Sequence, residues 1–371
     1  MTIPDSAGEL ILKVLFLPTA SRNDPASRYR VYQYLDYLNG QGVVAHYQPG
    51  VSDFIYDRFA PAKGFWAKTV FFGVRALSRL LAIFIVWRYN VIFIQRLALP
   101  HVYPLPELLV CAVARLLGKR TIFDYDDAIF TTYSHRRKTP AEKFTDANRV
   151  ARVVSRCDTV IAGNAYLAAH ARAYNNKVVI IPTVIDMVRY PAKQSGAKKP
   201  GEPYVIGWIG TPSTSPYLDF LKPVFQEIAR KHAILIRIVG GCEYHCPGVR
   251  VEHLPWSLRD EVNHILSFDI GVMPLADSEY ERGKCGLKLL QYMAAGIPAV
   301  ASPVGVNCEI VTDGANACLA VSEEEWVRKI SALIGSLRRR QEMGRLGRET
   351  VERSYSIEAN LPRLLDVLRG A

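Results

Sequence analysis

Lys284, Lys288 and Gln291 stand four and three residues apart in the stretch GKCGLKLLQYMAAG, Gly283 to Gly296. That spacing gathers two ammonium groups and an amide on one side of a helical turn. Leu289, Leu290 and Met293 fall on the other side, Gly296 stands where a helix C-cap would, and IPAVAS follows as a short apolar run suited to a buried strand. A helix N-terminus already offers unpaired N–H groups and a partial positive charge, so it is a ready anion site. Gly286 would let a ligand approach the backbone, and the two lysines would add full charges. A diphosphate suits this arrangement better than a single carboxylate. The competing reading is a pair of solvated lysines beside an incidental glutamine.

The elements that would position such a site recur along the chain. KVLFL, NVIFI, RTIFDY, DTVIAG, KVVIIP, YVIGWIG, ILIRIVG, DIGVMPL and IPAVAS read as short buried strands. Between them, SRYRVYQYLDYLNGQG and SPYLDFLKPVFQEIARKH carry apolar residues at helical spacing. This alternation predicts an α/β protein of parallel sheets flanked by helices. The stretch YPAKQSGAKKPGEP, Tyr190 to Pro203, is rich in proline, glycine and lysine and reads as a linker with solvated lysines. The expected organisation is a first domain over 1–190, a linker over 191–203, a second domain over 204–352 and a final segment over 353–371. Ligands of doubly wound sheets bind beyond the carboxyl ends of the strands, which directs attention to PTASRNDPASRYR, DYDDA, TPSTSP and ADSEYERGKCG.

The 371 residues suffice for two cored domains, and a net charge of +11 calls for an acidic partner. No zinc finger, basic heptad region or aromatic RNA-binding motif is present, so no nucleic-acid partner is expected. Seven scattered cysteines fit a reduced, cytoplasmic setting better than a disulfide framework. Cys242, His245 and Cys246 have no second ligand pair at a useful spacing, and no metal is expected. The N-terminal stretch carries Lys13 inside its apolar run, which reads as a first strand and not as a signal peptide. Phe65 to Trp87 is too short in its uncharged run to span a bilayer. Lys68, Arg75 and Arg79 would line one face of it, either as a monotopic helix or as the solvated stripe of a core helix.

The stretch DIGVMPLADSEYERGKCGLKLLQYMAAGIPAVASPVGVNCEIVTDGANACLA resembles the donor-binding domain of GT-B glycosyltransferases, in particular the retaining "group 1" enzymes of family 4. PASRYRVYQYLDYL, IFDYDDAIF, VIAGNAYLA, IPTVID, IGWIGTPSTSPYL and the tail ERSYSIEANLPRLLDVL extend the resemblance over most of the chain. It implies two Rossmann-like domains facing across a cleft, with a C-terminal helix crossing back to the first. It also implies a nucleotide-sugar donor whose diphosphate meets the N–H groups of Gly286 and Leu287. The second glutamate of the family's E-x7-E motif matches Gln291, whose amide can still bond a ribose hydroxyl. The first matches Gly283, leaving Glu281 or Glu279 as the candidate for the sugar. GTPSTSP replaces the family's arginine and lysine after the domain's first strand, so Lys284 and Lys288 are the candidate substitutes.

By the same resemblance, Gly240, Gly241 and Trp256 lie in the nucleotide-base region, and Gly210, Thr211 and Ser213 face the diphosphate from the opposite loop. Arg28, Arg30, Asp126 and Asp127 are placed to meet acceptor or donor sugar, with Asp127 orienting a hydroxyl. The implied chemistry is front-face, metal-independent transfer, in which fixed dipoles and lysines stabilise the departing diphosphate. The expected acceptor is a lipid-linked envelope glycan or polysaccharide at an anionic membrane surface, with the protein peripheral on the inner face of the cell membrane. Two other readings are open: a non-catalytic GT-B protein that binds nucleotide sugar or glycan, and a metal-dependent enzyme using the D-x-D of Asp124 and Asp126.

Overall fold

The computed structural model describes residues 11–60, 64–131, 146–193, 196–199 and 201–370. The expected linker residues Gln194, Ser195 and Pro200 lie outside the described residues. The chain divides into two compact units, Met1–Thr183 with Asn360–Ala371, and Val184–Ala359.

The first unit holds six parallel strands: β1 (Leu12–Leu17), β2 (Val43–Tyr47), β3 (Val91–Gln95), β4 (Arg120–Tyr125), β5 (Thr159–Ala162) and β6 (Val178–Ile180), in the order β2-β1-β3-β4-β5-β6. The second repeats the plan with β7 (Tyr204–Gly210), β8 (Ile234–Gly240), β9 (Val251–Leu254), β10 (Ile270–Met273), β11 (Ala299–Ala301) and β12 (Cys318–Leu319), in the order β12-β11-β10-β7-β8-β9. Strands covered on both faces are apolar over most of their length, and β3 shows it, with VIFI buried ahead of Gln95 at its carboxyl end. In each unit the strand order turns back once, between β1 and β3 and between β7 and β10. Those are the topological switch points, where the loops part and leave room for a ligand.

Three parts of the sequence reading change. The second unit begins at Val184, ahead of the expected linker, and Lys193 and Lys198 of that stretch are docked onto it. Lys193 donates a backbone bond to the Ala295 carbonyl at 2.8 Å. Its ammonium and that of Lys198 hold Asp269 at 3.1 and 2.8 Å, so these lysines are paired and not merely solvated. The expected boundary between 352 and 353 falls instead at Ala359, inside the last helix, Ile357–Arg369. Its end is tied to the first unit, where Arg363 donates to the Ile180 carbonyl and Arg369 to that of Gln41.

The third change concerns the Phe65–Leu81 helix. Its basic stripe faces inward. Lys68 donates to the Ala60 carbonyl at 2.8 Å, Arg75 to that of Leu97 at 3.1 Å, and Arg79 to that of Leu17 at 2.6 Å. Arg79 also meets the buried carboxylate of Glu107 at 3.3 Å. A guanidinium can satisfy several carbonyls from one fixed fork, which is why it can serve as an internal tie where a shorter polar group would not reach.

Asp269 also accepts the Val205 N–H, which opens β7. Burial opposes its charge, but Lys198, that N–H and Lys193 outweigh it and hold the carboxyl below the usual range. Its contribution is therefore complete at neutral pH and is lost as the pH falls through the depressed folded value, below the usual carboxylate range. Asp269→Asn is expected to cost about 1–3 kcal/mol at pH 7 in urea unfolding, and the difference from the parent should shrink at acid pH.

Candidate functional site

In the second unit the helix that carries Lys288 runs from Leu287 to Ala294 and is entered through Gly286 at φ 70°. A Cβ there would lie 2.6 Å from Ile310 Cδ1 and 3.2 Å from Val306 Cγ1, so both conformation and space require glycine. Gly296, at φ 70°, follows the last turn, with the Ile297 N–H donating to the Tyr292 carbonyl. That is the C-terminal stop expected from the sequence. The N-terminal end differs from the expected regular turn. Because Gly286 breaks the helix, Lys284 lies ahead of it and packs on the Tyr280 ring at 4.9 Å. Lys288 instead reaches the Trp208 ring at 5.5 Å. The two ammonium groups stand on different aromatic faces.

Trp208, buried in β7, is the hub of this end of the sheet. Its indole lies within 2.5 Å of where a Cβ on Gly210 would sit, and within 2.9 Å for Gly241. Gly210 and Gly240 are paired across β7 and β8, and a Cβ on Gly240 would meet the Gly210 carbonyl at 2.5 Å. The strand ends are thus stripped of side chains around one indole. Thr211 and Ser213 follow with their hydroxyls 2.9 Å apart, and the Thr214 hydroxyl accepts the Thr211 N–H. This loop and the β10 loop border the switch point, so Gly210, Thr211, Ser213, Gly240, Gly241 and Lys288 are brought to one edge of one sheet.

Gln291 is buried, and its amide donates to the Tyr190 hydroxyl at 3.0 Å. Tyr190 in turn reaches Glu261 Oε1 at 3.5 Å, and Trp256 donates its indole N–H to Glu261 Oε2 at 2.7 Å. Glu261, itself 2 % exposed, therefore links Trp256 to Gln291 through Tyr190. Neither Tyr190 nor Glu261 carried a motif signal, and the burial of Glu261 is not visible in the sequence.

Glu281 does not serve as a displayed sugar ligand. It is fully buried, and its two carboxylate oxygens accept the hydroxyls of Tyr217 and Ser278. Burial opposes its charge, but those donors, with Lys284 nearby, hold it below the usual carboxylate range. It anchors the β10 loop. Asn307 was missed by sequence reasoning. It is 1 % exposed, donates to the Ser302 carbonyl at 3.0 Å, and its side-chain oxygen has no partner among the described residues. That oxygen lies 3.7 Å from the position a Cβ on Gly286 would take, so a hydroxyl donor near the helix entrance would satisfy it.

In the first unit Arg30 is an internal strut and not an acceptor contact. Its guanidinium pairs with buried Asp124 and donates to the carbonyls of Ile181 and Pro182 at 2.8 and 2.9 Å. Burial works against its charge, but Asp124 outweighs that and keeps it protonated. Arg28 is likewise buried, donating to the Arg22 carbonyl at 3.1 Å. Asp126 and Asp127 are both held by Arg96 at 2.6 Å. The two carboxylates of the D-x-D are thus each matched by a different guanidinium. Arg96 has φ 52°, unusual for a residue with a side chain, and sits directly after β3 at the switch point.

A pocket of about 270 Å³ opens there, lined by Thr19, Asp24, Tyr56, Arg75, Arg96 and Leu97 among others. Gln95 fastens its floor by accepting both the N–H and the hydroxyl of Thr19. Burial, with Arg79 and Arg96 close by, pushes Arg75 down to about 10 against the pull of Asp24, which still leaves it charged at neutral pH. Cys242 and Cys246 do not converge with His245, since Cys246 is buried against the Lys222 carbonyl and the other two are exposed.

Residues 203–336 match the family "Glycosyl transferases group 1". Several solved structures share the fold over 97% of this chain. Sucrose-phosphate synthase from Thermosynechococcus elongatus matches over 98% of its own chain, at 14% identity and a TM-score of 0.70. HepE of Anabaena, in complex with UDP and glucose, matches over its whole length at 14% identity and a TM-score of 0.68. The lipopolysaccharide outer core galactosyltransferase WaaB matches over 99% of its chain at 11% identity and a TM-score of 0.59. No curated protein sequence matches the chain. The fold is that of these GT-B glycosyltransferases, and the match to the group 1 family lies within the second unit.

Gly286→Ala should destabilise the protein by about 1–3 kcal/mol in chemical denaturation, because it adds both left-handed strain and the clash with Ile310.

Proposed function

We propose that this chain, matching the group 1 glycosyltransferase family over residues 203–336, transfers a sugar from a nucleotide-diphosphate sugar to a glycan acceptor with retention and without a metal. One observation carries the donor assignment: a helix entered through left-handed Gly286, with Lys288 in its first turn, beside a sheet edge cleared of side chains at Gly210 and Gly240. Backbone N–H groups and a cation fixed there suit a diphosphate, and the UDP-glucose complex of HepE supports that ligand class.

In the reaction the bond between the anomeric carbon and the diphosphate oxygen breaks. A new bond to an acceptor hydroxyl oxygen forms on the same face, and the hydroxyl proton passes to the departing phosphate oxygen. Negative charge grows on the diphosphate, where the N–H groups of Gly286 and Leu287 and the ammonium of Lys288 stabilise it, with Lys284 behind them. Gln291 and Trp256, coupled through Tyr190 and Glu261, suit the ribose and base. Asn307 offers an acceptor for a sugar hydroxyl in place of the sealed Glu281.

The acceptor reading moves from Arg28 and Arg30 to the pocket that Arg75, Arg96 and Asp24 line, where Arg75, tied to the Leu97 carbonyl through one nitrogen, keeps charge for a phosphate-bearing, lipid-linked glycan. Asp127, held by the Arg96 that lines this pocket, is the candidate to orient a hydroxyl. The net charge of +11 fits work at an anionic membrane, on the cytoplasmic side. Among the described residues, no helix is long and apolar enough to cross a membrane.

Thermal melting with UDP, GDP, dTDP and ADP, each with and without EDTA, tests the donor site. One nucleotide should raise the melting temperature regardless of EDTA; an EDTA-sensitive shift would overturn metal independence, and no shift at all would overturn the diphosphate site. Lys288→Ala should weaken binding of that nucleotide by about tenfold or more, while its loss of the contact with Trp208 costs about 1 kcal/mol of stability or less. Binding without turnover toward any sugar donor would favour a purely binding role.

A further inference from the structure

The outward face of the Phe65–Leu81 helix carries no charge. Trp66, Val70, Gly73, Leu77 and Leu81 are spaced four, three, four and four residues apart, and all are exposed. Phe84 continues the stripe three residues on, in the 3₁₀ turn that follows the helix. Trp66 is 78 % exposed, Phe84 75 % and Trp87 62 %. Surface helices normally turn their polar side outward. Here the polar side is consumed inside, where Lys68, Arg75 and Arg79 donate to buried or half-buried carbonyls.

The next helix, Leu105–Leu116, packs beside it and repeats the pattern. Leu105, Leu109, Ala112 and Leu116, four, three and four apart, are exposed. Both helices cross the sheet in the same direction, from β2 to β3 and from β3 to β4. Right-handed crossovers therefore place them on one face. The result is one continuous apolar surface with aromatic residues at both ends of its longer helix. Exposed Arg58, Arg88 and Arg115 stand on the elements around it. Between Asp57 and Glu107 the sequence holds no acidic residue, and Glu107 is buried, so nothing in this stretch offsets the exposed arginines.

We infer that this face is a bilayer-docking surface that seats in the headgroup layer of an anionic membrane, with Trp66, Leu77, Leu81, Phe84 and Trp87 inserted. Tryptophan and phenylalanine at the ends suit the boundary between headgroups and acyl chains, and aliphatic residues between them suit the layer beneath. The charge complement decides between occupants. An anionic lipid surface attracts an apolar face bordered by the exposed Arg58, Arg88 and Arg115, whereas a second copy would bring two such basic borders together. The inference is independent of sugar transfer, because membrane binding and turnover are read separately.

The test uses the full chain and sucrose-loaded vesicles of phosphatidylcholine, alone or with phosphatidylglycerol. Binding to the anionic vesicles is expected, with tryptophan emission quenched by brominated lipid. Trp66→Ser/Leu77→Ser, both at exposed positions, should keep the parent's melting temperature and nucleotide binding and lower vesicle partition by about tenfold or more. Failure of the parent to bind either vesicle overturns the inference. So does binding that the double variant retains in full, since attraction would then come from charge elsewhere. A concentration-dependent dimer in light scattering that the double variant abolishes would assign the face to a second copy.

Discussion

A parallel strand in the middle of a sheet spends its backbone donors and acceptors on its neighbours and its side chains on the helices above and below. Nothing along its length remains for a ligand. Chemistry is confined to the carboxyl edge, and there to the place where strand order reverses and the loops diverge. Both units obey this constraint. In the first, Gln95 at the end of β3 grips Thr19 after β1, and Arg96 turns into a left-handed conformation to reach Asp126 and Asp127. In the second, β7 ends on Trp208 and Gly210, and the helix entered through Gly286 brings Lys288 to the same indole.

The arginines show how position changes the meaning of a charge. Arg28 and Arg30 looked like ligands because they follow a strand and open a helix, yet both are buried and committed to protein acceptors. Arg75 and Arg96 sit nearby, in a segment that read either as a monotopic helix or as a core helix and just past a strand end; they too have protein acceptors, but they line the pocket. An isolated buried charge is too costly to leave uncompensated, so burial selects the arginines that find a carboxylate or a fan of carbonyls. Which arginine is buried depends on where its helix meets the sheet, and that is a property of the tertiary fold.

The central strands were legible in the sequence almost to the residue. RTIFDY, YVIGWIG and ILIRIVG coincide with β4, β7 and β8, because a strand buried on both faces is apolar over most of its length. β2, β9 and β12 were not read, and all three are sheet edges. VVAHY and VEHL alternate or expose polar residues, and β12 has only two residues, so none forms a run. At the site, Gly286 and Lys288 were legible from helix signals. Glu281 was misread and Glu261 and Asn307 were missed, since their roles depend on hydroxyls and carbonyls that lie tens of residues away or have no sequence signature. The basic stripe of the Phe65–Leu81 helix was found but assigned to the wrong side, because helical periodicity gives faces without saying which one meets the core.

The return of the final helix fixes an order of events during synthesis. Residues 184–359 are contiguous, so the second unit can close its core as soon as Ala359 has left the ribosome. The first unit is translated earlier but lacks residues 360–371 until they too have emerged. Until then Arg120 waits for the Leu368 carbonyl and Gln41 for Arg369. The half of the protein made first is therefore completed last, and a nascent chain would hold an open, apolar seam on its N-terminal half while its C-terminal half was already folded.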